Sequence, residues 1–279
     1  MKNCHGTVGV ALGGGGVRGL AHVPALATIE ACGIRPAVLA GTSMGAIIGA
    51  LYASGKSAKD LCGIVEHHII GRDDRIKDIY AKKDSLLKWL TSVRLAWKGS
   101  GLLEADGFLR HLLDQMNASR FEDLKIPLHV VATDFYSGES VVFNRGPLLP
   151  ALKASMSIPG IFVPVEHEGR ILVDGGVSNN LPFDLLAPRC DVTIAIDVAP
   201  TREINDAEPP NMLDATLGMF DMLVERITTS MVLAQPPHVY FHPRLVGIRV
   251  LDFDKAEDVL EQTEQAIGEF KKMLAKQLH

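Results

Sequence analysis

Two apolar stretches near the start of the chain each run into a glycine-containing turn and then into a helix-like stretch. Residues 7–12 read TVGVAL and are followed by four glycines, and residues 37–40 lead into the turn GTSMG at 41–45. Helical apolar spacing follows each turn, and Gly33 and Gly55 are the predicted helix ends. Two strands in succession, each followed by a helix, favour a parallel sheet with helices on its faces.

The remaining sequence continues this pattern and predicts an α/β fold with a mainly parallel central sheet and helices on both faces. No internal repeat or low-complexity linker divides the chain, so we expect one domain over 1–279. Within it we predict a motif-bearing core at about 7–200, a helical cap over 71–116 and a C-terminal extension of helices and a strand over 200–279. Further strands are predicted at 128–135, 140–144, 170–174 and 191–199, and helices at 57–68, 106–116, 209–234 and 255–277.

Composition narrows the class of protein. The chain is 47% hydrophobic and 22% charged, which argues against disorder, and its net charge of −5 gives no reason to expect nucleic-acid binding. The four cysteines are scattered, which favours a reducing compartment over a disulfide framework. Neither a signal peptide nor a spanning helix is visible, so we expect a cytoplasmic protein with at most peripheral membrane contact. No metal cluster is visible either, and neither a metal nor a cofactor is expected.

The turn at 41–45 matches G-x-S-x-G and is entered from a strand and left by a helix. In that context the sharp turn strains the backbone of Ser43 and projects its hydroxyl at the edge of the sheet. Gly41 and Gly45 let the two arms of the turn approach closely. The alternative is that Ser43 caps the following helix and that the glycines serve packing.

The glycine loop GGGVRG at 14–19 also fits G-x-G-x-x-G, a weak dinucleotide signal. A dinucleotide site requires an acidic residue at the end of the second strand, where this chain has Ser43 instead. The successive N–H groups of the loop could stabilise an oxyanion, with the positive charge of Arg18 nearby. Tight packing between strand and helix is the alternative explanation of the glycines.

Asp174 ends an apolar strand and is followed by Gly175 and Gly176. A serine hydroxyl needs a neighbouring base, and an acidic group at the carboxyl edge of a parallel sheet lies where active sites of such sheets form. A turn or cap role is the alternative for Asp174. Three histidines follow Asp174 in the sequence, but none is a convincing base: they are His238, His242 and His279.

Together, the ordered motifs GGGVRG, GTSMG and DGG resemble those of the patatin-like phospholipase family, closest to its compact bacterial members. ASMSIPGIFVPV at 154–165, DGGVSNNLP at 174–182 and ATDFYSGE at 132–139 extend the resemblance, which covers roughly residues 7–200. The motifs themselves show no departure from the family pattern. The resemblance implies a patatin-like three-layer fold and hydrolysis of carboxylic esters of lipids.

The resemblance also implies a Ser–Asp dyad without histidine, in which Ser43 is the nucleophile and Asp174 is the base that activates it and later activates water. The N–H groups of Gly14, Gly15 and Gly16, helped by Arg18, would form the oxyanion hole. Gly19, Gly41, Gly45, Gly175 and Gly176 support these motifs. We interpret Asp134 and Asp197 as structural residues, and His22 as a core or supporting residue near the site.

Residues 71–99 differ in character from the remaining chain. This segment carries a charge of +4 while the other residues sum to −9, and it holds both tryptophans, Trp89 and Trp97. Basic residues with tryptophan are typical of interfacial helices, so 71–99 is the candidate for peripheral membrane contact. The alternative is an ordinary amphipathic cap with solvated lysines.

Three functions remain open from the sequence. The first is a serine acyl hydrolase acting on a lipid or other ester substrate through Ser43 and Asp174. The second is a regulatory or scaffolding protein that keeps the fold with little turnover. The third is a nucleotide-binding enzyme that uses the glycine loop. The oligomeric state and the head group and chain length of a lipid substrate are not readable from the sequence.

Overall fold

A computed structural model describes residues 6–66, 106–201 and 212–278. Its centre is an eight-stranded sheet in the order β5-β6-β3-β2-β1-β7-β8, with β4 also paired to β3. Strands β3, β2, β1, β7 and β8 run parallel to one another. The strands are β1 (Val8–Leu12), β2 (Val38–Thr42), β3 (Leu128–Asp134), β4 (Ser140–Phe143), β5 (Val165–His167), β6 (Arg170–Asp174), β7 (Val192–Ile196) and β8 (Val239–Phe241).

The helices of the described residues follow the predicted pattern, and the mixed α/β fold is confirmed. Short 3₁₀ turns cover Gly16–Ala21, Phe121–Asp123 and Phe253–Lys255. The α-helices are α1 (His22–Ala31), α2 (Met44–Ala53), α3 (Ala58–Val65), α4 (Asp106–Leu113), α5 (Leu148–Ser155), α6 (Gly176–Asn179), α7 (Met212–Ala234) and α8 (Ala256–Leu278).

Side chains on the two faces of the sheet enter different hydrophobic clusters. Val10 and Leu12 of β1 point into the larger cluster, which also takes side chains from α1, α2 and α8. Ala11, between them, points into a smaller cluster with Leu181 and Phe183, against which α7 packs. Because successive side chains of a strand point to opposite faces, helices cover the sheet on both sides.

The direction of β6 differs from the expectation. The sequence prediction placed Asp174 at the carboxyl edge of a parallel sheet, but β6 runs antiparallel to β3. The cause is a two-residue hairpin between β5 and β6, in which Glu168 and Gly169 have φ values of 49° and 76°. Two consecutive residues with positive φ are typical of a type I′ turn, which reverses the chain.

Several predictions fall on residues that the structure does not describe. The basic segment 71–99 with Trp89 and Trp97 lies outside the described residues, as does most of the predicted cap over 71–116, so its membrane contact stays a prediction. The single-domain assignment also stays a prediction. Of the region 200–279, β8 joins the sheet beside β7. Among the helices that the structure describes, none is long and apolar enough to cross a membrane.

Candidate active site

Ser43 occupies the sharp turn between β2 and α2. Its φ of 54° and ψ of −125° lie in a region that residues other than glycine rarely adopt, so the turn stores backbone strain of about 1–3 kcal/mol. The side chain makes no capping hydrogen bond to α2, which removes the main support for the capping alternative. The N–H of Ser43 donates to Oγ of Ser155 at 2.8 Å, which fixes the backbone of the turn.

The two glycines of the turn are required by close backbone packing. A Cβ on Gly41 would lie 2.7 Å from the carbonyl oxygen of Gly45, and a Cβ on Gly45 would overlap the backbone of Leu12 in β1. These contacts place the start of α2 directly against the central strand. The N-terminus of α2 therefore lies beside Ser43, where its partial positive charge favours a developing anion.

The first part of the glycine loop is held on both sides by hydrogen bonds. The carbonyl of Gly13 accepts from Nε2 of His22 at 2.7 Å. The N–H of Gly14 donates to the backbone carbonyl of Asn180 at 3.2 Å, and Nδ2 of Asn180 donates to the carbonyl of Gly14 at 3.3 Å. The N–H of Gly14 is thus already committed to a protein acceptor.

The next two N–H groups of the loop are different. Within the described ranges, the N–H groups of Gly15 and Gly16 have no hydrogen-bond partner, while the carbonyl of Gly15 accepts from the N–H of Arg18 at 3.2 Å. Gly16 has a φ of 57°, and a Cβ there would overlap the carbonyl of Val250. Two adjacent free donors on a glycine backbone form a concavity suited to an anion.

Asp174 reaches Ser43 because β2 and β6 meet end to end along β3. Thr42, the last residue of β2, pairs with Val131, and Asp174, the last residue of β6, pairs with Ala132. Strand β4 occupies the opposite edge of β3 at the same level. The carboxyl ends of β2 and β6 therefore meet at consecutive residues of β3. Ser43 directly follows the end of β2, so it lies beside Asp174.

The carboxylate of Asp174 is fully buried and only partly paired. Oδ1 accepts the N–H of Gly176 at 2.8 Å. Oδ2 is buried and has no hydrogen-bond partner among the described residues. Burial raises the pKa of Asp174 to about 6, although the Gly176 N–H and the nearby Ser43 hydroxyl both lower it. The Ser43 hydroxyl therefore lies close to the Asp174 carboxylate.

These groups line one cavity. Gly14, Gly15, Gly16, Ser43 and Asp174 contribute to its wall, with Asn180 beside them. Helix α7 adds the side chains of Phe220, Asp221 and Val224. The free volume is about 20 Å³, room for about one water molecule. The structure thus brings the predicted nucleophile, base and glycine loop together.

Arg18 also borders this cavity, but its guanidinium is bound elsewhere. The side chain is 2% exposed, and its Nη1 and Nη2 donate to the two carboxylate oxygens of Asp221 at 3.1 and 2.8 Å. Nε donates to the carbonyl of Val198 at 3.2 Å. The charge that the sequence prediction assigned to the oxyanion is therefore balanced by Asp221, and Arg18 ties the glycine loop to α7.

The other candidate residues have structural partners. Asp134 accepts the N–H of Tyr136, and Asp197 accepts the N–H of Ala199 and the hydroxyl of Tyr240. His238 bonds Thr193, and His242 lies beside Asp197. His22 is buried behind the loop, where burial lowers its pKa to about 4 and keeps the ring neutral.

The structure also shows supporting residues that sequence reasoning missed. Ser155 bonds Ser43, Asn180 bonds Gly14, and Asp221 bonds Arg18. The only signal for the first two was their place inside the family-like blocks ASMSIPG and DGGVSNN. Asp221 has no sequence signal. No group of three possible metal ligands occurs in the part of the chain that the structure describes.

Comparison with known proteins points in the same direction. A family model described as Patatin-like phospholipase matches residues 10–187. The chain is 34% identical over 235 residues to an NTE family protein of Mycobacterium tuberculosis (Rv1063c), covering 78% of this chain and 59% of that protein. It is 30% identical over 214 residues to the lysophospholipase NTE1 of Saccharomyces cerevisiae, covering 76% of this chain and 12% of NTE1. The chain thus spans about three fifths or less of these relatives.

Among solved structures, the chain is similar to VipD from Legionella pneumophila. That similarity has a TM-score of 0.49 at 15% identity and covers 96% of this chain and 67% of VipD. The type III effector ExoU gives a TM-score of 0.47 at 15% identity, covering 98% of this chain and 54% of ExoU. The family match spans both the glycine loop and the end of β6, and on this ground the chain belongs to the patatin-like phospholipase family.

Proposed function

We propose that the protein is a serine acyl hydrolase that cleaves carboxylic ester bonds of lipids. The observation that carries the proposal is one cavity lined by the strained Ser43, the half-paired carboxylate of Asp174 and the free N–H groups of Gly15 and Gly16. Family membership and the name lysophospholipase carried by a relative support a lipid ester as the substrate.

The geometry supports a two-step reaction. Oγ of Ser43 attacks the ester carbonyl carbon while its proton passes to Asp174, and the N–H groups of Gly15 and Gly16 bind the developing oxyanion. Collapse of this intermediate breaks the ester bond, and the alcohol leaves with the proton from Asp174. Asp174 then takes a proton from water, which attacks the acyl-Ser43 ester. This second intermediate collapses, Asp174 returns its proton to Oγ of Ser43, and the carboxylic acid leaves.

The pKa of Asp174 suits this role. A general base is most effective when its pKa lies near the working pH, and a pKa of about 6 leaves Asp174 charged at neutral pH while making it more basic than an exposed carboxylate. The ring of His22 is neutral, and its Nε2 donates a hydrogen bond to the carbonyl of Gly13. Asp174 is therefore the base beside Ser43.

The cavity is too small for an acyl chain as it stands. Its 20 Å³ compares with about 300–1,000 Å³ for typical ligand pockets. Side chains of α7, of which Phe220 is half-buried, must therefore move when substrate enters.

The test is hydrolysis of p-nitrophenyl esters of increasing chain length by wild type, Ser43→Ala and Asp174→Asn. We expect Ser43→Ala to fall to background and Asp174→Asn to lose about 10²- to 10⁴-fold in kcat. Ser54→Ala is the matched control, because Ser54 lies at the other end of α2 and its hydroxyl bonds only the Leu51 carbonyl. Equal loss in the control would contradict the assignment.

Labelling with a fluorophosphonate probe separates the alternatives. An activated serine reacts with this probe, so labelling that disappears in Ser43→Ala supports the hydrolase. A wild-type protein that is folded but is neither labelled nor active on any ester would favour the regulatory or scaffolding role. Binding of a nucleotide without labelling would favour the third function.

A further inference from the structure

Asn180 contacts the glycine loop at the peptide group that carries one of the two free donors. Its side chain is 3% exposed, and Nδ2 donates to the carbonyl of Gly14. Its own backbone carbonyl accepts the N–H of Gly14. Asn180 therefore holds Gly14 at both its N–H and its carbonyl.

This contact sets the direction of the Gly15 N–H. No cis peptide bond occurs in the described residues, so the Gly14 carbonyl and the Gly15 N–H point in opposite directions from one rigid plane. Once Nδ2 of Asn180 fixes the carbonyl, the N–H of Gly15 is fixed as well. Glycine on both sides leaves this peptide otherwise free to rotate, because no Cβ restricts it.

The segment that carries Asn180 is also bound to the nucleophile turn. The hydroxyl of Thr42, directly before Ser43, donates to the carbonyl of Asn179 at 2.8 Å. One short segment thus contacts the residue before the nucleophile and the residue before the first free donor. It begins only a few residues after Asp174.

We propose that Asn180 is a positioning residue that aims the Gly15 N–H at the oxyanion formed on Ser43. The inference rests on the proposed function and adds to it the group that orients the donor. An amide suits this place because it donates without charge. A carboxylate there would face the Gly14 carbonyl and add negative charge beside the oxyanion, which would oppose its formation.

The test compares Asn180→Ala and Asn180→Asp with Asn179→Ala. Asn179 is the adjacent, similarly buried asparagine, but its side chain bonds Asp184 and not the loop. Loss of a whole oxyanion donor lowers kcat by about 10²- to 10³-fold in serine hydrolases. For Asn180→Ala we expect about a 10- to 100-fold fall in kcat on p-nitrophenyl butyrate with KM within about threefold, because the donor is misaligned but present. Asn180→Asp should lose more.

Inhibition by a trifluoromethyl ketone distinguishes a misaligned donor from general damage to the turn. It forms a tetrahedral adduct with the serine, so its inhibition constant should rise in Asn180→Ala by the same factor as kcat falls. Asn179→Ala should keep kcat within about threefold, even if it melts at a lower temperature. Thermal unfolding monitored by circular dichroism verifies that each variant is folded.

The outcomes separate this inference from the proposed function. Wild type without Ser43-dependent turnover overturns both. If wild type shows Ser43-dependent turnover but Asn180→Ala has the same kcat as Asn179→Ala, the role of Asn180 is overturned and the proposed function stands. A fall in kcat without a matching rise in the inhibition constant also overturns it, because the donor would then not act on the tetrahedral state.

Discussion

The Ser43 turn and the glycine loop lie against each other, yet their geometry has different origins. The turn is imposed by residues within five positions of Ser43 and by the central strand beneath it, since Gly41 and Gly45 leave no room for side chains. The loop takes its shape from residues far along the chain, among them Asn180, Val250 and, through Arg18, Asp221. One half of the site is therefore encoded mainly by its own motif packed on β1, and the other depends on residues far along the chain.

The largest expected effect tests the local half. Gly45→Ala would drive a Cβ into the carbonyl of Leu12, and neither backbone can yield because β1 is central in the sheet. We expect a loss of more than about 3 kcal/mol in the free energy of unfolding, or no folded protein. Chemical denaturation measures it.

Gly63→Ala is the matched control for that substitution. Gly63 lies within α3, and nothing lies within 4 Å of a Cβ built there. Alanine should stabilise this helix by up to about 1 kcal/mol. If Gly45→Ala were as stable as Gly63→Ala, the turn would not be fixed by its glycines.

The second effect tests the half that depends on distant residues. Asp221→Ala would leave the guanidinium of Arg18, 2% exposed, without its carboxylate. Removing one partner of a buried ion pair typically costs about 3–5 kcal/mol, and we expect the lower end because Asp221 is 16% exposed. Denaturant unfolding measures the loss.

The exposed pair of Arg249 and Asp214 provides the comparison. Their side chains are 65% and 29% exposed, so Asp214→Asn should cost less than about 1 kcal/mol. Similar losses in Asp221→Ala and Asp214→Asn would show that the loop does not depend on the buried pair.

The third effect is a dependence on pH at the point where the two halves meet. The folded-state pKa of Asp174 is about 6, above its ordinary 3.8, so the folded state favours the protonated carboxyl. Its stabilising contribution is present below about pH 4 and is lost as the pH rises through 6. Asp174→Asn should therefore raise the free energy of unfolding at pH 8 by up to about 3 kcal/mol, and this gain should vanish near pH 4.

Catalysis should show the opposite dependence on pH. The base must be charged, so kcat/KM should fall about tenfold per pH unit below pH 6. A pH–rate profile of wild type together with unfolding curves of Asp174→Asn measures both. An acid limb near pH 4, with no stability gain in Asp174→Asn, would mean that the carboxylate is solvated in the folded protein.

The same contrast explains what the sequence could and could not predict. Ser43 was predictable because its motif is short and lies between a recognisable strand and helix, and the parallel strands β1, β2 and β7 were predictable from their apolar runs. The reversal of β6 was hidden because Glu168-Gly169 lacks the Asn or Asp usual before glycine in such turns.

Residues that act through distant contacts left little signal. Asp221 lies on the partly exposed α7, and nothing in its neighbours indicates that it pairs with Arg18, more than two hundred residues away. The sequence prediction was that Arg18 helps to hold the oxyanion, whereas in the structure its guanidinium pairs with Asp221. Which N–H groups of the glycine loop are free was equally hidden, since that depends on the position of Asn180.

The smallest expected effect sharpens the comparison, because the backbone of the turn also has a hydrogen bond to a residue far along the chain. Oγ of Ser155 accepts the N–H of Ser43 and donates to the carbonyl of Val131 at 2.6 Å. Ser155→Ala leaves both groups buried and unsatisfied, at a cost of about 1–3 kcal/mol. If the glycines fix the turn, the rate of fluorophosphonate labelling should still fall by no more than about tenfold, equivalent to about 1.4 kcal/mol.

Ser157→Ala is the control for this last substitution. Ser157 is equally buried, but its hydroxyl bonds only the carbonyl of Lys153, so the change should lower stability by about 1 kcal/mol and leave the labelling rate unchanged. Labelling in Ser155→Ala that is as slow as in Asp174→Asn would break the distinction between the two halves. The nucleophile would then be held, like the donors, by a residue more than a hundred positions away, and the local motif would be necessary but not sufficient for its geometry.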